Sequence, residues 1–384
     1  MNTHRPVAIA ITRLGLLLRI VMLLAVATGA VSCTCLTTKK VDGDFEGLKT
    51  ALDRTKSKGT LRLLLVHGMT RHEPGWSSTL VTGITTRLQL LRDAGADSRT
   101  NFSLQNHPMG ELRISQFTNS GATSRLRVYE LTWSEITQPW KEKQFGNDES
   151  EFHRKERVLV NRSLKSGIMN DGFGDAVLYA GSFRQHMQYP IMQAVMRMLA
   201  DQPDPDDEVA IITTSLGSYM TLDTLARMSR GFKIMGEAPF KPERVRDLLD
   251  QITQIFMLAN QVPLLELSEV SNPPGGVRAT NNLPGLQGFL QVRKEVRQKK
   301  ANPKQDVPRW KLRIVAFSDP NDLLTYPLGP QDVANEGELD VSVRNVTVSV
   351  ERHAILGIFA WPLTAHTGHD KSDKVLELIV NGYP

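Results

Sequence analysis

The stretch "VAIITTSLGSYMTLDTL" occupies residues 209–225. Its apolar, β-branched run has the composition of a buried strand and ends at Ser215; helical spacing of apolar residues begins one residue later. Ser215 can therefore be a small residue at a turn, or a nucleophile lifted by that turn. A sharp strand-to-helix turn pushes a hydroxyl out of the sheet and points the next backbone N–H, that of Leu216, at the reacting oxygen. It also sets the positive end of a helix behind a developing anion. Small residues are needed two positions before and after the serine. Gly217 meets the second requirement, while the branched Thr213 stands where a glycine is usual. Alone, Thr-Thr-Ser-Leu-Gly is a weak pattern, because a serine hydroxyl reacts only when a base, oriented by an acid, takes its proton.

The chain downstream offers both groups. In "RIVAFSDPNDLLTYP" (313–327) a strand delivers two carboxylates, Asp319 and Asp322, to the strand end where ligands bind. In "PLTAHTGHDKSDKVLELI" (362–379) His366 and His369 precede the final helix. Upstream, "LLLVHGM" (63–69) ends a buried strand at His67-Gly68-Met69, where a second anion-binding N–H is expected. His366, His369 and Asp370 also resemble a metal cluster loosely, but no third ligand follows at helical spacing, so no metal is expected.

Periodicity organises the rest. Strands are expected at 61–69, 125–133, 209–215, 252–260, 311–319 and 341–351, and helices at 77–95 and 371–382. Residues 134–200 carry helical patterns broken by Gly172, Gly174 and Pro190, and 173–199 is read as packing on the sheet, with a mobile lid as the other reading. Strands alternating with helices imply an α/β fold: a mostly parallel central sheet with helices on both faces. The stretches 134–200 and 260–308 read as insertions, 271–288 as a loop, and the basic run 293–304 as a solvated helix face or loop. Residues 33–58 read as a linker ahead of a domain spanning 59–384.

The 384 residues are 40% hydrophobic and 23% charged, enough for a sizeable core. A net charge of +5 without a nucleic-acid motif gives no reason to expect a nucleic-acid partner. The two cysteines, Cys33 and Cys35, both lie near the N-terminus, which excludes a disulfide framework, a zinc ribbon or a cysteine nucleophile in the body of the chain.

The first 32 residues read as an address. Arg5, Arg13 and Arg19 precede an apolar stretch from Ile20 to Ser32, too short to span a membrane comfortably. Ala30-Val31-Ser32-Cys33 resembles a bacterial lipobox, with Ala30 where Leu is usual. That resemblance implies lipidation at Cys33 and a tether to the cell envelope on the periplasmic side, with Thr34 favouring the outer membrane. An uncleaved N-terminal anchor and a secreted chain are the alternatives.

On His67-Gly68, the segment 213–217, "SDPNDLLTYP" and "AHTGH", the sequence resembles the α/β-hydrolase superfamily, in particular its bacterial serine esterase- and lipase-like members, over residues 60–384. The resemblance implies a triad of Ser215, His366 and an acid. Asp322, shortly before an apolar-Pro step, fits the acid better than Asp319, which would cap a turn. His366 fits the base better than His369. It further implies an oxyanion hole from the N–H groups of Leu216 and Met69, with His67 supporting that loop and no cofactor. The expected function is hydrolysis of a small-molecule or lipid ester. An acyltransferase, or a silent member of the fold serving as a binding or scaffold module, are the alternatives. The oligomeric state is not legible.

Overall fold

The structure, a computed structural model, describes residues 39–55, 59–201, 204–237, 241–269, 283–300, 311–330, 332, 340–350 and 361–384. The expected signal and Cys33 lie outside the described residues.

In chain order the strands are β1 (Lys39–Val41), β2 (Phe45–Glu46), β3 (Leu61–Val66), β4 (Leu91–Leu104), β5 (His107–Thr118), β6 (Arg125–Thr132), β7 (Glu208–Thr214), β8 (Ile252–Leu258), β9 (Leu312–Ser318), β10 (Val341–Val348) and β11 (Gly382–Tyr383). Nine of them form one sheet in the order β1-β10-β9-β8-β7-β3-β6-β5-β4, and β11 pairs with β2 apart from it. From β10 to β6 every neighbouring pair is parallel. Antiparallel pairing occurs at the two edges, where β1 lies on β10 and the β4–β5 hairpin lies on β6.

Period-two alternation divides the apolar residues of the strands between two cores. Leu64, Val66, Val209, Ile211, Ile255, Met257, Ile314 and Ala316 face helices Arg184–Ala200, Leu216–Ser229, Pro242–Gln251 and Gly285–Lys300. Leu61, Leu63, Leu65, Ala210, Ile212, Phe256, Val315 and Phe317 face helices Leu48–Arg54, Ser78–Arg87 and Asp373–Asn381. The expected mostly parallel sheet with helices on both faces is therefore present, and the architecture is that of an α/β-hydrolase fold. The chain steps from β3 to β6 on one side and to β7 on the other, so β3 and β7 flank the topological switch where ligand sites form.

Four expectations are corrected. The supposed linker is part of the fold from Lys39 onward: Phe45, Leu48, Ala51 and Leu52 are buried in the second core. The helix expected over 77–95 stops at Arg87, and 91–118 is a strand hairpin turned by Gln105 and Asn106, both with positive φ. β4 carries almost no buried residue, so it had no apolar alternation to read. Pro190 does not end its helix, which runs unbroken from Arg184 to Ala200 and packs on β5 and β6. Finally, residues 293–300 of the basic run are helical, but not as a wholly solvated face: Arg293 is buried against the Leu249 and Ile252 carbonyls, and Arg297 pairs with Asp250 at 2.8 Å.

Candidate active site

β7 ends at Thr214, and the helix Leu216–Ser229 starts two residues later, leaving Ser215 to make the whole turn. Its backbone stands at φ 53°, ψ −128°, a region that a residue with a side chain enters only when its surroundings over-determine it. The Ser215 amide donates to the Leu258 carbonyl at 2.7 Å, and Ser215 O accepts the Ser218 amide at 3.0 Å. Two glycines make the turn possible. A Cβ on Gly217 would lie 2.4 Å from the His67 carbonyl oxygen, and one on Gly68 would lie 2.6 Å from the Ser215 Cβ. Thr213, the departure from the usual glycine, is accommodated by a 2.9 Å hydrogen bond between its hydroxyl and that of Ser218.

The elbow meets the two distant segments. His366 Nε2 lies 3.0 Å from Ser215 Oγ, and His366 Nδ1 lies 2.7 Å from Asp322 Oδ2. All three side chains are nearly closed to solvent. The other Asp322 oxygen accepts the Leu324 amide at 2.9 Å, which fixes the carboxylate plane against the imidazole. A proton on Nδ1, held by the carboxylate, leaves Nε2 free to accept from the serine.

The rival residues are placed elsewhere. Asp319 accepts the backbone amides of Asn321 and Val350 at 2.8 and 2.7 Å, so it caps the turn that delivers Asp322, and burial pushes its carboxyl up. His369 is fully buried, and neither ring nitrogen has a hydrogen-bond partner among the described residues. Burial pushes its pKa down to about 4. Because the folded state keeps this imidazole neutral while the unfolded chain protonates it near pH 6.5, His369 costs stability as the pH falls from about 6.5 to about 4. Replacing His369 by Leu should therefore flatten the fall in melting temperature over that interval; an unchanged slope would refute the assignment. No group of three His, Cys, Asp or Glu side chains is arranged to hold a metal among the described residues.

His67 and Met69 follow β3, facing the elbow. The His67 ring is fully buried, stacked between Trp133 at 4.8 Å and His72 at 4.2 Å. Its Nδ1–H donates to the Gly68 carbonyl at 2.8 Å, and its Nε2 accepts the Trp133 amide at 3.0 Å. Burial holds it well below the usual histidine range, so it is a neutral strut of this loop. The Leu216 amide, in the first turn of its helix, needs no partner within that helix. The arrangement can take a proton from Ser215 and hold it on His366.

Sequence reading missed what holds the loop after Met69. The Thr70 amide donates to Asp175 at 2.9 Å, the Arg71 amide to Asp171 at 3.3 Å and the His72 amide to the Ser134 hydroxyl at 2.9 Å. Gly75 and Ser77 amides both donate to Glu130. These acceptors lie 53 to 105 residues away in the chain, and no local pattern marks them.

Neither a protein-family model nor a curated protein sequence matches the chain. Among solved structures, it is similar to dienelactone hydrolase from Anabaena variabilis, with 11% identity over 85% of this chain and 89% of that one, at a TM-score of 0.28. It is also similar to acyl-protein thioesterase 2 from Zea mays, with 10% identity over 89% of this chain and 99% of that one, at a TM-score of 0.30. At such scores the likeness carries no argument; the sheet order and the geometry around Ser215 stand by themselves.

Proposed function

We propose that the chain is a serine hydrolase of carboxylic esters, working through Ser215, His366 and Asp322. One observation carries the reading: Ser215 Oγ, the His366 ring and the Asp322 carboxylate, from three distant segments, form a continuous hydrogen-bonded line of 3.0 and 2.7 Å on a strained elbow. A turn serine with only a structural role needs neither the strain nor the imidazole.

Ser215 Oγ attacks the ester carbonyl carbon as its proton passes to His366 Nε2. Asp322 orients the ring and stabilises its cation. The oxyanion is held by the amides of Leu216 and Met69, each such donor contributing about 3–4 kcal/mol to lowering the barrier. Collapse breaks the bond to the alcohol, which takes the proton from Nε2 and leaves an acyl group on Ser215. Water then attacks the acyl carbon as its proton passes to His366 Nε2, and collapse breaks the bond to Ser215 Oγ, which takes that proton back as the acid is released. No step calls on a cofactor.

The substrate class is an ester with an acyl chain, small-molecule or lipid. The place of action is the bacterial envelope, with the mature chain tethered to the membrane through acyl groups on Cys33; this part rests on the N-terminal residues alone. A fluorophosphonate probe tests the chemistry. The chain should label stoichiometrically and Ser215→Ala should not label; a wild-type chain left unlabelled rejects the proposal. p-Nitrophenyl esters of graded length then rank the acyl chain.

A further inference from the structure

The loop after β3, from which the proposed mechanism draws the Met69 amide, is strained immediately afterwards. Thr70 stands at φ 77°, an outlier for a β-branched residue, which persists only where neighbours compel it. What compels it comes from the insertion 134–200. The Thr70 amide donates at 2.9 Å to Asp175 Oδ2, at the start of the helix Gly174–Ala180, and Asp175 is wholly buried. The other Asp175 oxygen lies 3.0 Å from the ammonium of Lys141, itself nearly closed to solvent. Lys141 also donates to the Asp171 carboxylate at 2.7 Å and to the Asp171 carbonyl at 2.9 Å, while the second Asp171 oxygen accepts the Arg71 amide. The π-helical stretch Leu164–Phe173 that carries Asp171 packs against the same loop: a Cβ on Gly172 would lie 3.6 Å from the Thr70 methyl and 3.7 Å from Met69 Cε.

Two consecutive amides are thus held by two carboxylates, and one lysine ties the carboxylates together. A buried ion pair contributes little net stability when compared with apolar residues of its size, so its use here is better sought in what it orients. From this we infer that Asp175, anchored by Lys141, is a positioning residue that holds the Met69 amide at the oxyanion. The inference rests on the Ser215 reading above. The insertion is then a brace for the anion-binding loop, joined to it through polar bonds, and its role does not require it to open.

Removing Asp175 alone would leave the Lys141 charge beside an empty buried site, so the test pairs Lys141→Met with Asp175→Leu, which fills the space and removes both charges. With a p-nitrophenyl acetate substrate, the folded double variant should lose about 10- to 100-fold in kcat and in the rate of fluorophosphonate labelling, because about 1 Å of misplacement costs that much, while KM stays within about threefold. Asp175→Asn keeps an oxygen for the Thr70 amide but turns an NH2 toward the Lys141 ammonium, so it should lose less than the double variant, about three- to tenfold in kcat. A double variant with wild-type kcat, a loss carried by KM, or an Asn variant as slow as the double variant each overturns the role. A wild-type chain that fails to label removes the Ser215 reading and this inference with it; a labelled wild type beside an equally fast double variant removes this inference alone.

Discussion

Replacing Ser215 by Ala lowers kcat on a p-nitrophenyl ester by about 10⁴–10⁶, and replacing His366 by Ala costs about as much. In the proposed mechanism the two residues act as one unit, so the double variant should be no slower than either single variant. On the proposed mechanism, residual turnover would come from the amides of Leu216 and Met69 and the binding of substrate, which neither substitution touches. Melting temperatures should change little for Ser215→Ala, since among the described residues the hydroxyl has one side-chain hydrogen bond, the 3.0 Å bond to His366. Rates measured on purified, folded variants decide the matter. Additive losses, with the double variant slower by the product of the two, would mean that Ser215 and His366 do not share one proton.

Replacing Asp322 by Asn should lower kcat by about 10⁴ with the fold intact, because an amide beside Nδ1 favours the tautomer that points a proton at the serine. Asp319→Asn is the matched control three residues away. Its carboxylate serves two backbone amides, so the expected cost is about 1 kcal/mol of stability for a lost hydrogen bond, with kcat within about tenfold of wild type. The opposite pattern, an inactive Asp319→Asn beside an active Asp322→Asn, would exchange the two roles.

What could be read before folding was carried by short-range chemistry. The strands Leu61–Val66, Glu208–Thr214, Ile252–Leu258 and Leu312–Ser318 are buried on both faces, so each is a near-continuous apolar run. Ser215 was legible because strand and helix patterns abut at it, and Asp322 and His366 because each follows or precedes an element with a clear period. The β4–β5 hairpin was not, since a largely exposed edge strand has no buried face to impose alternation. The ordered segment 39–54 looked like a linker because its few apolar residues, among them Phe45 and Leu48, are spaced for a short strand and a two-turn helix, too brief to show a period.

By itself, the order of residues determined the parallel α/β architecture and which serine, carboxylates and histidines could reach one rim of the sheet, because strand burial and turn chemistry are local. Only the tertiary structure put Asp322 rather than Asp319, and His366 rather than His369, in a hydrogen-bonded line with Ser215. Those choices turn on which carboxylate oxygens the neighbouring amides already occupy and which ring nitrogen reaches Ser215. It alone brought Lys141, Asp171 and Asp175 to the loop after Met69, since hydrogen bonds across a hundred residues follow from packing and leave no spacing to read.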